Sequence, residues 1–123
     1  METSILRSTK KILGIDPDDR TFDIDIIIFI NSALSTITTL GLTHVQVSDD
    51  AAKWEDIASD QELLGLIRAI VYLRVRMLFD PPVTSYTQQA MNQQIEELEW
   101  RLNVWREDTA WIDPNSPPIA LGG

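Results

Sequence analysis

Few residues in this 123-residue chain are equipped for chemistry. His44 is the single histidine and cysteine is absent, so neither a zinc site of histidine and cysteine nor a thiol nucleophile is available. A histidine relay has no evident partner, and His44 reads as a loop residue. Two acid pairs, Asp23 with Asp25 and Asp49 with Asp50, are of the type that serves hydrolysis or divalent-cation binding. They lack the loop spacing and central glycine of an EF-hand, and solvated turn acids are the simpler account. The five glycines are scattered or terminal and form no phosphate cradle. The residues therefore point to binding without catalysis, with no cofactor and no metal.

Large side chains carry the better candidates. Trp100 and Trp105 lie five apart, so on a helix they diverge by about 140° and cannot share one core. One of them is expected to face a partner, because large aromatics concentrate at interface centres. Trp111 and Ile112 follow on a proline-rich segment, where apolar residues call for a cover, either a partner or the chain's own domain folded back. Trp54 reads as a core anchor. Arg68, Arg74 and Arg76 mark one edge of an otherwise apolar helix. Arg74 and Arg76 are candidates for contact with a neighbour, and pairing with Glu96, Glu97 or Asp56 inside the chain is the somewhat better account of the three arginines.

Those residues require helices to position them. Ser4 is an N-cap candidate, Lys10 and Lys11 suit a helix C-terminus, and Gly14 stands where a helix stops, giving a first helix from about Thr3 to Leu13. Asp16 to Asp19 is a turn around Pro17. Ile26, Ile27, Ile30, Ala33, Leu34, Ile37 and Leu40 recur at steps of three and four and predict a second helix ending before Gly41. The run Ile26 to Ile28 also admits a strand. Val45 and Val47 alternate, as in a short edge strand or an extended loop. Trp54 and Ile57 suit one or two helical turns.

Ser59 and Glu62 read as a capping box opening a third helix that ends at Phe79, before Asp80-Pro81-Pro82. This helix is apolar almost all round and is expected to be central. Ser85 and Gln88 suggest a second box. Met91, Ile95, Leu98, Leu102 and Trp105 then form a heptad-like seam with Glu96, Glu97 and Glu99 facing away. Trp100 and Val104 fall off the seam as a second apolar patch. The expected fold is all-α: a bundle of four main helices over residues 1–106 and an extended C-terminal tail over 107–123.

The net charge of −9 argues against a surface that grips nucleic acid by its phosphates, and suits one that lets it slide past. The first residues carry no apolar signal-peptide segment, and no run reaches the ~20 apolar residues of a membrane span. With no cysteine, an intracellular origin without membrane insertion is expected.

Several segments also resemble one family. Ile12-Leu13-Gly14-Ile15 with the acidic turn, Phe22-Asp23 and the isoleucine run to Ile30-Asn31-Ser32-Ala33 are similar to the start of tailed-bacteriophage head–tail connector (adaptor, or head-completion) proteins. Trp54 with Asp56, Tyr72 to Arg76, Phe79-Asp80-Pro81-Pro82 and Ile95 to Asn103 continue the resemblance in order. It covers about residues 5 to 104. It implies a helical adaptor without enzymatic activity that forms a homo-oligomeric ring, usually of twelve subunits, beneath the portal protein in the neck of the virion. Such a ring extends the DNA channel, passes packaged DNA without specific binding, and docks a tail or stopper protein. Assembly would take place in the host cytoplasm. The alternative from the residues is an acidic helical binding module, such as a DNA-mimic inhibitor or a phage regulatory protein.

Overall fold

A computed structural model of the chain describes residues 3–39 and 45–110, with side chains described as far as Trp105. Four α-helices and one short 3-10 turn make up its regular structure, and no strand occurs among the described residues. The first helix, α1 (Ile5–Ile12), opens on Ser4, whose hydroxyl accepts from the Arg7 N–H at 3.3 Å. It closes on Gly14 at φ 79°, where Gly14 N–H donates to Lys11 O and Ile15 N–H to Lys10 O, at 3.0 and 2.9 Å. That paired closure needs a left-handed residue, which glycine adopts at little cost.

The isoleucine run is helix, not strand: α2 spans Asp23–Thr38. Its core face is Ile26, Ile30, Ala33, Leu34 and Ile37, all buried. The glycine stop at Gly41 and the loop residue His44 lie outside the described residues. Val45 to Val47 lies outside regular structure and pairs with no strand among the described residues. Instead the Asn31 side-chain amide donates to Val47 O and accepts from Val47 N–H, both at 2.8 Å, supplying the two bonds a strand partner would give.

The chain then returns to α1. Ile5 N–H donates to Ala52 O at 3.0 Å and Trp54 N–H to Thr3 O at 3.1 Å. The 3-10 turn Trp54–Asp56 sets Trp54 fully inside the core, with its indole N–H donating to Ser8 Oγ at 2.9 Å. Tyr72 meets the indole edge-on at 5.7 Å between centroids, and the Arg68 guanidinium lies 5.4 Å above it.

The central helix α3 (Gln61–Phe79) is capped by Asp60, which accepts from Leu63 N–H at 3.0 Å, one residue later than the serine expected. The Asp60 carboxylate is also favoured at this helix end by the helix dipole. After the proline pair, α4 (Ser85–Ala110) begins with Thr84 as its cap, accepting from Thr87 N–H at 3.2 Å. Gln88 does not close a box with Ser85; its amide donates to Pro82 O at 2.7 Å. The helix also runs past Trp105 and Arg106 to Ala110. The α4 seam docks as expected on α3: Ile95 and Leu102 are buried, and Leu98 and Trp105 pack against the core.

Candidate partner-binding surfaces

The two tryptophans of α4 separate as the helical angle requires. Trp105 packs against the core, whereas Trp100 is 65% exposed. Trp100 does not stand alone. With Arg101, Val104 and Trp105 from α4, and Glu62, Gly65 and Leu66 from α3, it lines an open groove of about 440 Å³. Trp100 and Val104 thus form the off-seam patch, and α3 supplies its other wall.

Gly65 lies within α3, and beyond its chain neighbours and the backbone of its own helix no described atom lies within 4 Å of where a Cβ would stand. Its φ is not in the left-handed range. Neither backbone conformation nor packing among the described residues calls for glycine here, yet it destabilises a helix interior by about 1 kcal/mol relative to alanine.

A second apolar surface lies at the other end of the bundle. Phe22, just before α2, meets Phe79, the last residue of α3, edge-on at 5.5 Å. Around this end Leu78 is 53%, Val83 99% and Tyr86 82% exposed. Tyr86 and Trp100 are separated by about 21 Å along α4 at the 1.5 Å rise per residue. On α2 itself, Ile24 is 77% and Ile28 57% exposed, one turn apart on the side away from the core face. These exposed isoleucines were not singled out from the sequence. Their signal was there: the run Ile24 to Ile30 has more apolar residues than one buried stripe accommodates.

The arginines divide. Arg74 donates from Nε and Nη2 to Glu99 Oε2 at 3.1 and 2.6 Å, tying α3 to α4. Glu99 accordingly turns toward the bundle and not away from it, and Arg74 finds an acid within the chain other than Glu96, Glu97 or Asp56. Arg68 is committed to Trp54. Arg76 is exposed and makes no ion pair among the described residues. Trp111 and Ile112 lie outside the described residues.

The acidic turn is built from short-range bonds. The Thr21 hydroxyl and N–H donate to Asp19 Oδ1 at 2.6 and 3.0 Å and hold the Asp19 carboxyl below the ordinary aspartate value. Asp23 is committed too. The ammonium of Lys10, a residue only 1% exposed, lies 2.8 Å from Asp23 Oδ1 and donates to Pro17 O at 2.8 Å. The approach to Asp23 is poorly aligned for a hydrogen bond, so charge and proximity hold the pair. Lys10 follows Leu6 by four residues on the buried side of α1, a position that marks it as inward-facing. Among the described residues no group of three histidine, cysteine, aspartate or glutamate side chains is placed to hold a metal ion. None of their helices is long and apolar enough to cross a membrane.

The fold and its surfaces define a small helical bundle with apolar ground left uncovered at both ends. A family model described as phage connector protein matches residues 5–109, and the chain belongs to that family. The match takes in both walls of the Trp100 groove and stops short of Trp111. No curated protein and no solved structure matches the chain.

Proposed function

We propose that this chain is a structural subunit of the virion neck, a head–tail connector that assembles as a ring beneath the portal protein. The ring, of twelve subunits, extends the DNA channel and presents the docking surface for a tail or stopper protein. It acts by binding alone, without catalysis or cofactor. Family membership over residues 5–109 carries this reading. The separated apolar surfaces support it, since a subunit between a neighbour on each side and partners above and below needs several distinct contacts. The net charge of −9 suits a bore through which DNA slides without being held. Residues 107–123, with Trp111 and Ile112, are assigned to the portal contact, together with Arg76.

The test is native mass measurement of the chain mixed with its portal protein, for the full chain and for a form ending at Ala110, which leaves α4 whole. The full chain is expected to load the portal with a closed set of subunits, and the shortened form to load it poorly. A chain that stays monomeric, ignores the portal and binds a basic protein tightly at low salt would replace this reading with that of an acidic inhibitor.

A further inference from the structure

Among the described residues, every buried side chain of α2, α3 and α4 is apolar. The buried polar residues, Ser4, Ser8, Thr9 and Lys10, all belong to α1 or its cap. Two of their hydroxyls turn back on α1 itself: Ser8 Oγ donates to Ser4 O and Thr9 Oγ1 to Ile5 O, each at 2.7 Å. Those bonds travel with the helix and do nothing to hold it down. Ile5 and Leu6 are the only apolar residues of α1 that are buried. Accordingly α1 meets α2 sparingly, whereas α2 and α4 both pack extensively along α3. The rest of the attachment is polar. It consists of two backbone bonds to the Ala52–Trp54 segment, the Trp54 indole on Ser8, Lys10 against Asp23 and Pro17 O, and Arg7 toward Asp18 and Asp50. Water replaces each of these when α1 lifts, and the Lys10 ammonium recovers the hydration that burial removed. Trp54 then loses Ser8 but keeps Arg68 and Tyr72, both on α3.

We propose that α1 is a releasable clasp: it lifts off as one piece, with Thr3 and Ser4, while α2, α3 and α4 stay docked around Trp54. The opened chain presents a surface that the closed one lacks, namely the seat of Ile5 and Leu6 and the flank of the Trp54 indole. The device belongs to the single chain and stands or falls apart from the connector reading.

Native-state amide hydrogen exchange on the full chain reads such an opening residue by residue. The amides of Ile5 and of Thr9 to Leu13 should share one protection level, about a hundredfold below that of Ile67, Ile70 and Val71 in α3. The Trp54 N–H donates to Thr3 O and should exchange with α1, although the Trp54 side chain lies in the core. The Val47 N–H donates to Asn31 on α2 and should stay with the slower group. The α1 set should also show a small common urea dependence, because its opening exposes little surface. Exchange of α1 with the protection and urea dependence of α3 overturns the proposal. So does a Trp54 amide as protected as α3 beside a fast-exchanging α1, which is the pattern of a helix that frays in place.

A covalent clamp provides the second measurement. The chain has no cysteine, so Ser4→Cys with Lys53→Cys gives one defined thiol pair. Ser4 and Lys53 face each other at an isolated antiparallel bridge. The flanking bonds, Ile5 N–H to Ala52 O and Trp54 N–H to Thr3 O, make it a non-hydrogen-bonded pair, the closer kind and within reach of a disulfide. Comparing the oxidised and reduced forms of this one variant removes the effect of losing the Ser4 cap. Oxidation should narrow the protection gap between α1 and α3 roughly tenfold, and reduction should restore it. A gap that oxidation leaves unchanged overturns the clasp.

Discussion

Arg74 on α3 and Glu99 on α4 meet through two N–H groups on one carboxylate oxygen, 25 residues apart in sequence. Their side chains are 33% and 22% exposed, so the pair lies between the surface and buried extremes. Surface pairs contribute about 0–1 kcal/mol, and breaking a buried pair costs about 3–5 kcal/mol. Arg74→Ala or Glu99→Ala is therefore expected to lower unfolding free energy by roughly 1–2 kcal/mol. A double-mutant cycle in urea should give a coupling of about 1 kcal/mol that shrinks with added salt.

Lys10 and Asp23 make an unequal pair. Lys10 is enclosed and Asp23 partly open, with side chains 2% and 19% exposed. Removing Asp23 strands an ammonium in the core with one carbonyl for company. Asp23→Ala should cost about 3 kcal/mol, and Lys10→Met distinctly less, because methionine fills the space without a charge to satisfy. Urea melts of the two variants check the order.

The two described glycines should respond in opposite directions to the same substitution. Gly14→Ala forces a side chain into the left-handed region at φ 79° and is expected to destabilise by about 1–2 kcal/mol. Gly65→Ala adds helix propensity in open space and should stabilise by about 1 kcal/mol. Thermal melts of both variants make the comparison in one experiment.

The Asp19 turn gives a pH prediction. Its carboxyl titrates below the ordinary aspartate value because Thr21 donates to the charged form. The associated stabilisation is present above the unfolded aspartate pKa and is lost as pH falls through the lowered folded value. Thr21→Val removes the hydroxyl and should move the Asp19 midpoint upward in a carbon-detected NMR titration, with the backbone N–H bond leaving part of the shift.

Trp100→Ala separates folding from association. The side chain is largely exposed, so the isolated chain should lose no more than about 0.5 kcal/mol. Self-association measured by sedimentation should weaken strongly, as expected for an aromatic at an interface centre.

Much of this architecture was legible in the residues. The period of α2, the seam of α4 and the stops at Gly14 and Phe79 are local signals, and local physics decides them. The off-seam position of Trp100 and Val104 was likewise a matter of helical angle. Cap identity was read one residue away at both Asp60 and Thr84, because neighbouring polar residues compete for the same N–H and only the final entry path selects one. The partners of Arg74, Lys10 and Asn31 were not legible. Each joins elements whose relative placement depends on tertiary packing, and many acids or carbonyls were equally available in the sequence. The Ile24–Ile28 ridge was hidden for a different reason: apolar residues in a helical run are assigned to the core by default, and only the docked bundle shows which of them remain outside.

The bond from the Trp54 indole to Ser8 spans 46 residues. It has a consequence for how the chain is made. At eight residues, α1 is too short to persist alone in water. Its backbone anchor, Ala52 to Trp54, emerges from the ribosome only after the whole of α2 has been synthesised. A nascent chain arrested before Trp54 would hold α1 without its latch, exposing Ile5 and Leu6 to whatever chaperone attends the exit tunnel. Although it is translated before α2 and the Trp54 turn, α1 is thus fixed in place after them.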